Sequence, residues 1–321
     1  MNLADLLHKN GILSEQETAS INSFEKNKTI SVHWELRTIL YLGILLFISG
    51  ISVLVYQNID TIGHQAILAF ILLACGGGFY YSIKMRKPYT HTEVKHESPF
   101  PDYAILSACL LLGVFVTYLQ AIYNVFGYNY GLATFIPAMV YLSCAYLFDH
   151  KGVLSLGITG VSAWAGLSVT PMELLKHNDF SSLSIIITGI IIGAVFAAAG
   201  YISVKKEIKS HFAFSYNNFA LNILFVATLS ALFTLSLKPI SFILLAGITY
   251  YYIVYAIKHK SFLFLLLSVV YGYIGLTYSL FNMFSFINSE FGAMLAMMYV
   301  IVSCVGVVLF FVFYKRILKI S

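Results

Sequence analysis

Residues 183–204 read LSIIITGIIIGAVFAAAGYISV, a run with no charge, no proline and no amide side chain, closed by Lys205 and Lys206. A helix of about 20 apolar residues spans the roughly 30 Å hydrocarbon core of a bilayer, because every backbone group inside it is bonded internally. The run therefore predicts a membrane-crossing helix. Working outward, comparable runs fall at 38–58, 65–84, 103–123, 131–148, 152–170, 218–237, 239–257, 261–280 and 291–314. The expected fold class is all-α: a polytopic membrane helix bundle of about ten transmembrane helices.

Composition agrees. Of the 321 residues 59% are hydrophobic and 10% charged, with a mean hydropathy of +0.83; a soluble domain carries roughly 25% charged residues. The formal charge of +5 suggests an acidic partner until the cations are placed. All the lysines and arginines but Lys176 and Lys238 fall at the two ends or in alternate connections. That is the positive-inside pattern, and it predicts a cytoplasmic N-terminus and a cytoplasmic C-terminus. The lipid bilayer is then the expected partner of most of the surface, and no nucleic-acid reading remains. MNLADLLHKNG at the start lacks a cationic segment followed by an apolar core, so no cleavable signal peptide is expected and the first span is retained.

Two domains are expected: a cytoplasmic N-terminal helical module over 1–32 and a transmembrane domain over 33–321. In the module Leu3, Leu6 and Leu7 recur at helical spacing and Gly11 suits a helix C-terminus. SEQE, from Ser14 to Glu17, is a capping box, and Ile21 and Phe24 continue an apolar stripe on the second helix. Two helices of this size bury too little surface to fold alone. Leu3, Leu6, Leu7, Ile21 and Phe24 are therefore candidate docking residues for a membrane-protein partner, a second copy in a homo-oligomer, or the chain's own cytoplasmic face. The blander alternative is a cap that orders the start of the first span, where Trp34 and Arg37 read as an interfacial anchor.

Catalytic patterns are missing. Ionisable groups at mid-bilayer usually mark ion paths or substrate sites, yet Asp60, Asp102, Asp149, Glu173, Asp179, Glu207, Glu290 and all the histidines lie in connections or at helix ends. There is no GxSxG, HExxH, P-loop or CxxC. DHK, from Asp149 to Lys151, reads as a helix-hairpin turn with interfacial charges, and Lys84 to Tyr103 as a surface linker. Cys75, Cys109, Cys144 and Cys304 sit singly in separate apolar runs and read as plain thiols. No enzyme activity, no cofactor and no metal are expected.

Small residues predict packing. Gly189, Gly193 and Ala197 form GxxxGxxxA, and Ser162 with Gly166 gives SxxxG; such faces let helix backbones approach closely in lipid. CGGG from Cys75 to Gly78 marks a helix break or a crowded crossing, and Pro137 should kink the fourth span. Tyr250, Tyr251, Tyr252 and Tyr255 read mainly as an aromatic belt. Tyr271 and Tyr278, seven apart, share a face that Tyr273 does not.

The stretch YLQAIYNVFGYNYG, residues 118–131, lies at the outer end of the third span. Together with the end of the first span it supplies Gln57, Asn58, Gln120, Tyr123, Asn124, Tyr128, Asn129 and Tyr130, a candidate outer polar lip or cavity. A membrane lip needs no special function to carry Tyr and Asn. The capped two-helix start, the LQAIYNVFGYNYG segment, a proline in the next span and KGVLSLGITGVSAWAG together resemble the bacterial predicted membrane protein family called domain of unknown function 2157 (DUF2157). The matching positions are Gln120, Tyr123, Gly127 and Trp164. The resemblance implies a bacterial multi-pass protein of the cytoplasmic (inner) membrane and supplies no mechanism.

Two functions stay open. One is a non-enzymatic carrier-like or ligand-binding protein for a neutral or zwitterionic solute; the other is an assembly or regulatory subunit that docks through its N-terminal module.

Overall fold

A computed structural model describes residues 14, 17, 33–57, 63–94, 99–169, 182–287 and 289–319. Among them are ten helices and no strand: α1 His33–Gln57, α2 His64–Lys84, α3 Phe100–Tyr123, α4 Tyr130–Phe148, α5 Lys151–Val169, α6 Leu183–Lys205, α7 Phe212–Thr234, α8 Lys238–Lys258, α9 Phe262–Ser285 and α10 Ser289–Ile317. Nine of them, α2 to α10, are long and apolar enough to cross a membrane, and α1 carries a shorter apolar stretch at Thr38–Leu54. The chain is a multi-pass membrane protein.

It divides into two compact units, Met1–Val53 and Leu54–Ser321. In the first unit the capping box is formed: Glu17 N donates to Ser14 Oγ at 3.3 Å, and Glu17 Oε2 accepts from Ser14 N at 2.9 Å. The backbone hydrogen bond from Ser14 holds the Glu17 carboxyl below its ordinary value. Leu3, Leu6, Leu7, Ile21 and Phe24 lie outside the described residues.

In the second unit the sequence explains where helices stop. Helices α2, α6, α8 and α10 carry Lys84, Lys205, Lys258 and the Lys315–Arg316 pair in their last turns, cations that complement the negative helix C-terminus. Pro101 opens α3, Pro239 opens α8, and Ser182 Oγ caps α6 by accepting from Ile185 N. Asn124 and Asp149 end α3 and α4 in the left-handed region at φ 47° and 59°, which Asn and Asp tolerate. Helix α4 runs through Pro137, and α2 runs through CGGG unbroken. A Cβ on Gly78 would meet Ala108 Cβ of α3 at 3.0 Å, whereas Gly76 and Gly77 face open space.

The least predictable boundary is that of α7. It begins at Phe212 rather than near residue 218, and the buried Asn217 near its start is held on the helix, its Nδ2 donating to Ala213 O at 2.9 Å. This helix is the hub. It packs against α5, α6, α8 and α9, and 56% of its membrane window is buried against 33% or less for the other eight. Phe225 of α7, Tyr252 of α8 and Phe264 of α9 form the core at its side. Tyr252 thus leaves the expected aromatic belt for the interior, while Tyr250 stays 73% exposed.

The tightest hairpins are α4–α5 and α6–α7. A Cβ on Gly157 would meet Leu142 Cγ at 2.9 Å and its backbone N at 3.1 Å; one on Gly193 would meet Leu224 Cγ at 2.6 Å and its backbone N at 3.3 Å. Further along, Gly160 faces Ala138 Cβ at 2.8 Å and Gly189 faces Ala227 Cβ at 3.0 Å. Each hairpin therefore closes through a glycine–leucine and a glycine–alanine crossing, with a third glycine nearer one end: Gly131 against Ser168 and Trp164 in α4–α5, and Gly200 against Asn217 and Tyr216 in α6–α7.

Candidate functional site

Helices α5 and α6 each press their glycines into a partner, and between these two close contacts they part. The gap, bounded also by α7, is a cavity of about 580 Å³. Ala163 and Gly166 of α5, Ile192 of α6, and Asn222, Val226 and Ala227 of α7 are among its lining residues. Two of its hydroxyls are engaged within their own helices. Ser162 Oγ donates to Ile158 O at 2.9 Å and Thr188 Oγ1 to Ser184 O at 2.7 Å, each within its own helix. Asn222, at the deep end, donates through Nδ2 to Asn218 O at 2.8 Å and accepts at Oδ1 from the Tyr271 hydroxyl at 2.9 Å. With these donors engaged, the lining presents mainly aliphatic side chains.

That contact also sorts the tyrosines of α9. Tyr271 stacks on Phe225 and Tyr278 lies edge-on to Phe233, so both face α7; the Tyr273 hydroxyl instead donates to Ser303 Oγ of α10 at 3.2 Å.

The outer turn is organised differently. Gln120 Nε2 donates to Asn124 Oδ1 at 2.9 Å and to Gly127 O at 3.0 Å, while Gln120 Oε1 accepts from Phe126 N at 2.9 Å. One amide ties the whole turn. Gly127, at φ 55°, takes the left-handed conformation that glycine adopts without penalty. Asn129 starts α4 without a side-chain cap, Tyr128 is 90% exposed, and Tyr123 and Gln57 are exposed. Asn58 lies outside the described residues. None of the described lip residues lines the cavity.

Gln120→Leu is expected to loosen this turn, seen as faster hydrogen exchange at Phe126 and cleavage near residue 127 by added protease, with the spans unaffected. Unchanged exchange at Phe126 would show that the glutamine does not hold the turn.

Of the expected packing residues, Gly193 faces α7, Gly189 both faces α7 and lines the cavity, and Ser162 and Gly166 line the cavity. Ala197, half-buried, follows on α6. Sequence reading passed over Gly157 and Gly160, although their three-residue spacing on α5 was a usable small-residue signal. It also separated three cysteines that the structure gathers at α2, α3 and α4. Cys75, Cys109 and Cys144 are buried, Cys75 Sγ donates to Ala108 O, and the Cys109 and Cys144 thiols share a hydrogen bond; Cys304 is exposed. Among the described residues no group of three or more His, Cys, Asp or Glu could hold a metal ion.

The membrane-spanning bundle, the proline in α4 and the Gln120-tied turn are the features against which a family comparison can be read. Residues 5–154 match the family DUF2157, predicted membrane protein. Neither the curated proteins nor the solved structures give a match. The part similar to DUF2157 is just under half of the chain and reaches from the N-terminal segment into the first turn of α5. It includes Gln120, Tyr123 and Gly127 and stops before Trp164, which packs on Phe135 with ring centroids 4.8 Å apart. The cavity lies wholly beyond it.

Where the DUF2157-like part ends, it meets the rest of the chain through a buried charge. Asp149, the C-cap of α4, is 3% exposed at its side chain, and Lys209, between α6 and α7, 1%. Lys209 Nζ is 3.0 Å and His211 Nε2 2.7 Å from Asp149 Oδ1, and Asp149 Oδ2 accepts from Val94 N. Lys209 N donates to His91 O at 2.9 Å, and its ammonium lies over the Tyr89 ring. The surface linker expected over Lys84–Tyr103 is therefore pinned along its described part. The DHK turn is a buried hub rather than an interfacial pair of charges. At its rim Lys151 donates to Glu93 at 2.8 Å, and that hydrogen bond holds the Glu93 carboxyl below its ordinary value.

Proposed function

We propose that the protein is a non-enzymatic, carrier-like or ligand-binding membrane protein whose ligand occupies the space between α5, α6 and α7. The observation that carries this reading is the cavity of about 580 Å³, within the roughly 300–1,000 Å³ of small-molecule sites. A neutral or zwitterionic solute at the outer lip is less well supported, since the Gln120 amide is already engaged at both ends. Orientation belongs to the same proposal. The distribution of Lys and Arg favours both termini in the cytoplasm, with α1 as a tenth crossing. The DUF2157 likeness favours a bacterial inner membrane.

The test is photolabelling of the full chain in liposomes with adamantyl diazirine, a small apolar probe. Labelling is expected at Ile192 and is expected to vanish in Ala163→Phe, which fills the cavity. Label spread evenly over the exposed apolar faces would overturn the reading.

A second reading, an assembly or regulatory subunit, is favoured by the formed Ser14–Glu17 capping box. Deleting residues 1–30 should then abolish recovery of a co-purifying partner and leave the spans folded; undiminished recovery would count against it.

A further inference from the structure

We infer that the ligand of this cavity is a hydrocarbon chain of a bilayer lipid, drawn in sideways from the leaflet at the end of the bundle where α5 finishes and α6 begins. This rests on the ligand-binding reading of the same cavity and names the ligand's chemistry.

Four observations converge on a chain. The first is depth. The cavity runs along α5 from Thr159 to Leu167, along α6 from Ile185 to Ile192 and along α7 from Asn222 to Ser230. At 1.5 Å per residue that is about 12 Å. One leaflet of a hydrocarbon core roughly 30 Å thick measures about half of that thickness. The cavity is therefore nearly one leaflet tall and ends near the middle of the bundle.

The second is the mouth. Val226 of α7 and Thr159 of α5 both line the cavity and are exposed, Val226 at 51%. Both sit in the interior of their helices, so the opening lies between helices, toward the bilayer, and not through an end of the bundle.

The third is the wall. Ser162 and Thr188 donate within their own helices, as does one N–H of Asn222, the Asn222 carbonyl is met by Tyr271, and most of the remaining lining is aliphatic. A polar solute would leave its own groups unpaired there, which is costly in an apolar medium. A methylene chain asks for nothing.

The fourth is the rigidity of the frame. Gly193 and Gly189 lock α6 to α7, itself a wall of the cavity, and Gly157 and Gly160 lock α5 to α4, so α5 and α6 are each fixed by close crossings. The gap between them is built into the crossings and does not close by a simple slide of one helix toward the other.

The test uses the full-length protein in liposomes containing a phosphatidylcholine with a diazirine at the end of one acyl chain, cross-linked and mapped residue by residue. The reference is Val195, 53% exposed on α6 and not among the cavity-lining residues. Expected is labelling at Ile192 several-fold above Val195, lost in Ala163→Phe while Val195 labelling stays. Val226→Trp, which plugs the mouth, replaces Ala163→Phe if the latter fails to yield folded protein, and the same loss is expected. Equal labelling of Ile192 and Val195, or labelling that both fillings leave intact, overturns the inference. If adamantyl diazirine reaches Ile192 and the lipid probe does not, the ligand-binding reading stands and the lipid chain is excluded. If neither probe reaches it, both fall.

Discussion

Asp149→Ala is expected to cost about 3–5 kcal/mol of stability, because removing one partner of a buried ion pair leaves the other charge uncompensated. Lys209 would lose its carboxylate 3.0 Å away while remaining 1% exposed, and Val94 N would lose its acceptor. The segment from Arg86 to Val94 should come free of the hub together with the connection between α6 and α7. The measurement is a denaturation series in detergent for Asp149→Ala, Lys209→Met and the double variant. The double variant should lose clearly less than the sum of the singles, since both remove the same contact. Simple additivity would mean that Asp149 and Lys209 do not hold each other. Loss in Lys209→Met alone should be smaller, because His211 at 2.7 Å and Val94 N still accompany Asp149.

Gly157→Ala is expected to destabilise by about 1–3 kcal/mol, the usual range for overpacking. The added methyl would lie 2.7 Å from Leu142 Cδ2 and 3.1 Å from Leu142 N, and the second of these is backbone that cannot rotate away. Gly193→Ala should behave alike against Leu224. Gly77→Ala is the control: nothing lies within 4 Å of its Cβ position, so the gain in helix propensity, up to about 1 kcal/mol in water, is unopposed. Thermal unfolding in detergent should therefore move in opposite directions for Gly157→Ala and Gly77→Ala. A neutral Gly157→Ala would show that the α4–α5 hairpin is not held by close backbone approach.

Much of the bundle was legible in the chain because a bilayer imposes a length and forbids unpaired backbone, so LSIIITGIIIGAVFAAAGYISV could be little else than the core of α6. The start of α7 was hidden because Asn217 and Asn218 read as polar. The Asn217 amide, bonded back to Ala213 O and buried against its neighbours, does not stop the helix. The candidate site was less legible still. Sequence pointed to amides and tyrosines at the outer turn, and those amides close on one another. The cavity came instead from Ser162, Gly166 and Gly189, which had been read for packing alone. A small residue lets a partner in or leaves a space, and only the position of the neighbouring helix distinguishes the two.

The sequence by itself determined that this is an all-helical, multi-pass membrane protein, since hydrophobic run length is local and set by the bilayer. The tertiary structure alone decided that α7 is the hub, that Asp149 meets Lys209 and His211 across 60 residues of chain, and that α5 and α6 part to leave a space. Those outcomes depend on which helices lie side by side and at what distance. Nearly uniform apolar segments carry no stripe to announce their neighbours, so side-chain volume and the pairing of a few buried polar atoms choose them.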